Sequence, residues 1–437
     1  MMIGKRDPSA DVQKVRPKKK PGHVKHLPYD ILLDILSRVP VESVLECKLV
    51  CKNWHSLLTR KRRYFNDMHV QSQLSQIHNG GGVTGVDIGL LCALTVVGND
   101  DEVVLFYGGQ YNEKLNTDEQ YTYKTTLRKI RRIPQMRVRT PQEYLVGSCN
   151  GLICLGRYHD TVNDPIYICN PVTGEYTYLP KLNVPARSGR GTTHLARGFG
   201  YVRSTNEYKV VRIFFDGFLV TGQVQVYTLG SGCGWRNKKN IRFPWGGYDM
   251  PGIFANEVIY WLEPHSDIYA FEPQSDIYAF DLVTEEFWIV PNPPRLTNAV
   301  STDTINNHFG LVVLGGNLCF YYQNLMAPHM EIWSLKSDKI WIKDFSIEYE
   351  MNNHITYWPI LLTENGEVIF SWLDTKLYCY NSRTGSWKLL VDDVSVDGMV
   401  AIPHVNTFVS LEAIGQKPSK RIGADSVVGR DKVGGYL

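Results

Sequence analysis

The chain contains twelve histidines, nine cysteines and 44 acidic residues, the side chains from which metal centres, nucleophilic sites and acid–base pairs are built. Spacing decides whether they can serve. A structural zinc site needs two close Cys or His pairs, and the only close cysteines are Cys47/Cys51 and Cys149/Cys154, each without a second pair or histidines at ligand spacing. The histidines form no His-x-His or His-Glu-x-x-His arrangement, and no Gly-x-Ser-x-Gly elbow occurs. The glycines of NGGGVTG, Asn79 to Gly85, lack the Lys-Ser/Thr of a phosphate-cradling loop and read as a linker. These patterns predict buried, unreactive thiols and no metal, cofactor or catalytic residue. The remaining chemistry is recognition. Trp245 and Tyr248, in the loop PWGGYDMPG, are aromatic residues of the kind that anchor a protein partner. The basic run Lys124 to Arg139 has no interleaved aromatic on which a base could stack, so it reads as a solvated inter-strand insertion, with no nucleic acid expected as partner.

Composition sets the frame for these residues. With 437 residues the chain has room for two domains, and 43% hydrophobic and 12% aromatic content with 37 Gly and 22 Pro describes a folded protein leaning towards β structure. The odd, scattered cysteines fit a reducing compartment. The opening MMIGKRDPSADVQ lacks the apolar core of a signal peptide, and no stretch approaches the roughly 18 apolar residues of a membrane span. Cytoplasmic or nuclear residence, with no membrane partner, is the expectation. Residues 1–26 read as a disordered basic arm whose KVRPKKKP would suit nuclear import receptors. The tail, 415–437, also reads as disordered.

From Leu27 the apolar residues fall at helical spacing. Ile31, Ile35 and Val39 alternate with Leu32 and Leu36, Pro40 ends the first helix, and Val44, Leu45, Val50, Trp54, Leu57 and Leu58 continue the stripes. Three short helices fit, too few to bury all of their apolar surface, so docking against another protein is expected. The segment LPYDILLDILSRVPVESVLECKLVCKNWHSLL also resembles an F-box: Leu27-Pro28-Tyr29-Asp30, then Ile35-Leu36-Ser37-Arg38-Val39-Pro40, then Val50-Cys51-Lys52-Asn53-Trp54. That resemblance implies binding to the Skp-type adaptor of a cullin-RING ubiquitin ligase. The contact set it implies is Leu27, Pro28, Ile31, Leu32, Ile35, Leu36, Val39, Pro40, Leu45, Val50, Cys51 and Trp54.

Beyond residue 85 the chain is short apolar runs and turns. In YICNPVTGEYTYLP, two aromatic or β-branched runs flank an Asn-Pro-Val-Thr-Gly turn, the chemistry of a β-hairpin. The pattern recurs at Val226-Tyr227-Thr228, Ala279-Phe280-Asp281, Ile332-Trp333-Ser334 and Cys379-Tyr380-Asn381, each followed by an aromatic: Trp235, Phe287 and Trp288, Trp341 and Trp387. Before each hairpin stands a strand introduced by Asn or Gly, at Asn150, Asn206, Asn256, Gly316 and Asn365. Repeats of about 50 residues of antiparallel strand have the period of kelch-like propeller blades, and 85–414 has room for roughly six or seven. The run Gly89 to Gly108 supplies another hairpin with which C-terminal strands would pair to close the ring. SDIYAF stands at Ser266 to Phe271 and again at Ser275 to Phe280; the second copy, leading into Asp281, is expected to be the blade strand.

The order GSCNGLICL, NPVTGEYTYLP, GFGYVRSTNEYKVVRIF, VQVYTLGSGCGWRN resembles the F-box-associated domain of plant F-box proteins. The expected fold is therefore α+β in two domains, a three-helix F-box at 27–70 and an all-β kelch-like propeller at 85–414, joined by a linker at 71–84. The resemblance implies a non-catalytic ligase subunit whose propeller recruits a substrate protein.

Overall fold

The computed structural model describes residues 27–60, 62–79, 88–97, 102–111, 128–129, 136–137, 145–156, 167–180, 194–215, 221–242, 251–262, 276–294, 307–336, 339–349, 356–372, 376–392 and 398–421. Both the 1–26 arm and the first SDIYAF copy lie outside them.

Proline and cysteine punctuate the helical module. α1 (Tyr29–Ser37) starts after Pro28 and α2 (Val41–Val50) after Pro40, because proline fixes φ near the helical value and has no N–H to leave unpaired. α3 (Lys52–Arg60) is capped by Cys51, whose sulfur accepts the Trp54 N–H at 3.4 Å. These are the three expected helices. A fourth, α4 (Arg62–Asn79), occupies most of what was expected to be the linker 71–84. Its inward face is Phe65, His69 and Gln73, spaced by four and all buried. Two of the three are polar, so the apolar period stops at Leu58 although the helix does not. The Nε2 atoms of His69 and Gln73 meet the Val39 carbonyl at 2.9 and 3.3 Å.

Among the described residues six antiparallel sheets follow. Blade I has Gly398–His404 as its inner strand, then Ile88–Val97 and Glu102–Tyr111, with Arg128–Lys129 and Met136–Arg137 on the outer edge. These two pieces correct the reading of Lys124 to Arg139 as an insertion, since they complete a blade. Blade II is Leu145–Cys149, Leu152–Leu155, Tyr167–Cys169 and Glu175–Tyr178; blade III is His194–Val202, Glu207–Phe215, Thr221–Thr228 and the broken strand Trp235–Asn237 with Ile241–Arg242. Blade IV is Ile253–Ala255, Val258–Leu262, Ile277–Asp281 and Phe287–Val290. The second SDIYAF copy is thus the blade strand, as expected. Blade V is Asn307–Leu314, Asn317–Asn324, His329–Leu335 and Trp341–Glu348; blade VI is Tyr357–Leu362, Glu367–Trp372, Lys376–Asn381 and Ser386–Asp392.

Each inner strand contacts the next around the ring, from blade I through VI and back. Gly398–His404 closes it by pairing with Ile88–Val97, Leu91 standing opposite Ile402. The chain then continues past 415, where disorder was expected, and adds Lys420–Arg421 to the outer edge of blade II. Thr177 Oγ1 donates to the Lys417 carbonyl and the Ser419 N–H to that of Tyr176, which holds this stretch in register.

Three of the hairpin turns, in blades II, IV and VI, share one construction. The side chains of Asn170, Asp281 and Asn381 each accept the N–H groups two and three residues ahead, and the residue four ahead has positive φ: Gly174, Glu285 and Gly385. The aromatics that mark the repeat join blades. The indole N–H of Trp235 donates to the Pro180 carbonyl at 2.8 Å and that of Trp341 to Pro291 at 2.6 Å, each reaching from the outer strand of one blade to the chain just past the outer strand of the preceding one.

Glu285 is the exception among the turns, a side chain where its counterparts have glycine. A left-handed residue other than glycine costs on the order of 1–2 kcal/mol, and here the carboxylate offsets it. Arg236 Nη1 and Nη2 donate to it at 2.9 and 2.6 Å, Lys209 Nζ at 2.9 Å, and Lys238 completes the group. All three cations belong to blade III, so this buried carboxylate ties blade III to blade IV. Burial alone would raise its pKa, yet these donors hold it down to about 2. Its folded pKa is depressed, so the stabilisation is present above the ordinary carboxylate range and is lost as pH falls towards 2. Urea unfolding should therefore show Glu285→Gln destabilised by up to about 3 kcal/mol at pH 7, with the gap to the unsubstituted chain narrowing below pH 4. An equal gap at pH 7 and pH 3 would contradict this account.

Candidate protein-interaction surfaces

In the helical module, core and surface separate cleanly. Leu33, Leu36, Val41, Val44, Leu57, Leu58 and Phe65 form the interior. Leu27, Pro28, Ile31, Ile35, Leu45, Val50 and Cys51, all expected to meet an adaptor, are exposed; Leu32, Val39, Pro40 and Trp54 are half-buried. Leu36 is placed otherwise. At 3% exposure it faces the core, because it lies one helical turn from Leu33 and three residues behind the inward face cannot also point out. Two exposed apolar residues complete the surface without having been singled out in the sequence: Tyr29, and Leu49, which at 85% is the most exposed large apolar residue of the described chain. Leu49 follows Leu45 by four residues, which is the signal that would have found it. An outward row of Ile31 and Ile35 on α1, with Leu45, Leu49 and Val50 on α2, leaves apolar area in water that a partner would remove.

In the propeller, strand order alone divides the turns between two faces. The strand ends joined by first-to-second and third-to-fourth turns lie on one face, together with residues 405–416; the strand ends leading from second to third strands, and onward to the next blade, lie on the other. Contacts confirm the first grouping: Glu257 Oε1 accepts the Arg203 N–H, and Asn256 Nδ2 donates to the Gly316 carbonyl, linking like turns of blades III, IV and V. The helical module sits on this same face, where Val172 of the blade II turn packs against its core. The described residues Arg242 and Pro251 stand at strand ends on the opposite face; Trp245 and Tyr248 lie outside the described residues.

No described group of three or more His, Cys, Asp and Glu could hold a metal, and no described helix is long and apolar enough to cross a membrane. Burial raises the thiols of Cys92 and Cys319 to about 12, and those of Cys149 and Cys169 also rise, so none of these is a ready nucleophile. One polar chain was invisible in sequence because its members lie 256 residues apart. Ser148 Oγ is 2.8 Å from His404 Nδ1, and His404 Nε2 is 3.2 Å from Asn406 Oδ1. Burial lowers the His404 pKa to about 4, which leaves the ring neutral and fixes it as an acceptor from Ser148 and a donor to Asn406. Asn406 Nδ2 in turn donates to Glu42 of α2 at 2.5 Å, so the chain ends in the helical module.

A helical unit with an outward apolar face, seated on one side of a six-bladed propeller, defines a protein made of two interaction modules. Residues 94–388 match the family described as F-box associated beta propeller domain, and residues 25–66 match the F-box domain. The chain belongs to the family of plant F-box proteins with a C-terminal F-box-associated β-propeller. An F-box protein of Arabidopsis thaliana is 25% identical over 415 residues, covering 85% of this chain and 88% of the relative. An F-box/LRR-repeat protein of the same plant is 24% identical over 415 residues, covering 90% and 84%, and an F-box/kelch-repeat protein is 21% identical over 320, covering 71% and 76%.

The division between core and surface gives a stability test. Thermal unfolding should show Leu36→Ala destabilised by about 2–5 kcal/mol, whereas Ile31→Asp and Ile35→Asp stay within about 0.5 kcal/mol of the unsubstituted protein. A large loss from Ile31→Asp would mean that α1 buries that side.

Proposed function

We propose that the chain is the substrate-recognition subunit of an SCF-type cullin-RING ubiquitin ligase, holding the Skp-type adaptor with its F-box and a target protein with its propeller. The observation that carries this reading is the apolar row on α1 and α2. Ile31, Ile35, Leu45, Leu49 and Val50 remain exposed although the module's interior is already filled, so they are spare surface rather than unfinished core. Desolvating such side chains yields about 25 cal/mol per Å² of apolar area.

The chain itself performs no covalent step in this scheme. A target lysine is held near a charged ubiquitin-conjugating enzyme, which converts a bimolecular encounter into one at raised effective concentration. With the F-box on one propeller face, the opposite face is the one free to receive a target. Residence in the cytoplasm or nucleus, where such ligases work, belongs to the same proposal.

Co-purification of the full chain with a Skp-type adaptor tests it. The unsubstituted chain should retain the adaptor through gel filtration, and the double variant Ile31→Asp/Ile35→Asp should lose at least tenfold in affinity while its unfolding midpoint is preserved. Failure of the unsubstituted chain to bind would overturn the ligase reading in favour of a propeller scaffold acting outside a ligase.

A further inference from the structure

Besides the packing of Val172 on the helical core and of Val70 on the cluster between blades II and III, the helical module and the propeller are joined at two stretches of chain. One join is the covalent passage from α4 into blade I. The other is made by residues 404–416, just after the ring-closing strand.

This second join is stitched to blades II and III. Thr407 Oγ1 donates to the Asn150 carbonyl at 2.7 Å, and Asn170 Nδ2 donates to the carbonyls of Thr407 and Val409 at 3.1 and 2.7 Å. Glu175 Oε2 accepts the Leu411 N–H at 2.7 Å and the Ser410 hydroxyl at 2.8 Å, and Gln416 Oε1 accepts the Gly230 N–H at 3.0 Å. Asn170, Glu175 and Thr407 are almost wholly buried, so these bonds are made out of water, where a donor or acceptor left unpaired is expensive. The segment has little freedom to shift.

From it Phe408 enters the helical module. Its ring centroid lies 4.9 Å from that of His69 and 6.3 Å from that of Phe65, with Lys48 Nζ 5.2 Å from its centre. At 4% exposure it shares one apolar cluster with Leu33, Leu36, Val41, Val44, Leu57 and Leu58. Beside it the Ser148–His404–Asn406–Glu42 chain crosses the same junction. Both the apolar and the polar contact come from residues whose positions are set by closure of the ring.

We infer that Phe408 is a member of the F-box core, so that closing the propeller and completing the adaptor-binding module are one cooperative event and the two parts move as one body. Four short helices bury too little surface to be firmly stable alone, and Phe408 adds a second aromatic ring beside Phe65. An open or truncated propeller leaves a hole in the module, and only the closed ring presents a fully formed docking surface at a fixed distance from the recognition face. The orientation between the two is set by Phe408 and Asn406, together with the Val172 and Val70 contacts, not by the length of the connection after Asn79. This inference concerns the chain alone and holds whether or not an adaptor binds.

Hydrogen exchange on the full-length chain, with no adaptor present, tests it. Phe408→Ala should speed exchange of the slow amides of α1 to α4 at least tenfold and leave blades III to V unchanged. A Gly-Ser-Gly-Ser insertion after Gly82 should change neither. If Phe408→Ala loosens the whole chain, Phe408→Leu takes its place, with a smaller acceleration confined to α1 to α4. Unaltered protection of α1 to α4 in the Phe408 variants, or its loss on lengthening the connection, would overturn the inference. Adaptor binding is not read, so failure here and failure of the ligase reading are distinguishable.

Discussion

The pairing of Gly398–His404 with Ile88–Val97 is the constraint on which the rest of the molecule depends. It joins strands roughly 300 residues apart in sequence, and without it blade I lacks its inner strand and the ring has two open edges. Everything after His404 is placed by that event: the stitched segment over blades II and III, the Phe408 ring in the helical module, and the added strand on blade II. A contact of such long range carries a large closure cost, which only the simultaneous burial of the clusters on either side of blade I can offset. Leu90, Cys92 and Leu94 pack with blade VI, while Leu91 and Ala93 pack with blade II, so one strand finishes two interfaces at once.

Between blades the same physics is repeated with local variations. In blades II, IV and VI an Asx turn ending in a left-handed residue brings the third strand back as a fourth, and in blades III and V the indole at the start of the fourth strand spans to the preceding blade. Where Glu285 replaces glycine, backbone strain and a buried charge occur together, and three basic groups of the neighbouring blade satisfy both. An isolated carboxylate there would be costly to bury. The group is thus legible only as an interface feature.

The function follows from separation. The F-box rests on the face bearing the short turns, with its apolar row outward, and the opposite face collects the remaining connections. A body built this way can hold one protein by its helices and another by its propeller without the two competing for surface, and a rigid junction keeps their spacing constant. Six of the nine cysteines are buried in blade interiors, whereas Cys51 and Cys233 are exposed and Cys47 is half-buried, against the expectation of buried thiols, and His404, the histidine set against a serine, is consumed in a structural chain.

Much of this was written locally. The helix punctuation by Pro28 and Pro40, the Asn- and Gly-led strands, and the repeat of turn initiators and following aromatics all depend on residues near one another in sequence, and the F-box and propeller could be read from them. The sequence also identified Ile31 and Ile35 as one helical stripe. It could not say which side of α1 faces inward, since a helix with Ile31, Leu32, Leu33, Ile35 and Leu36 is apolar over more than half its circumference, and only packing against α4 and Phe408 makes Leu36 core and Ile31 surface. The length of α4 was hidden because its inward residues include His69 and Gln73, whose burial is tolerable only once the Val39 carbonyl is there to meet them. Phe408 was hidden for the same reason. Its role is defined by partners more than 300 residues away, and no local pattern encodes which distant core a single aromatic will fill.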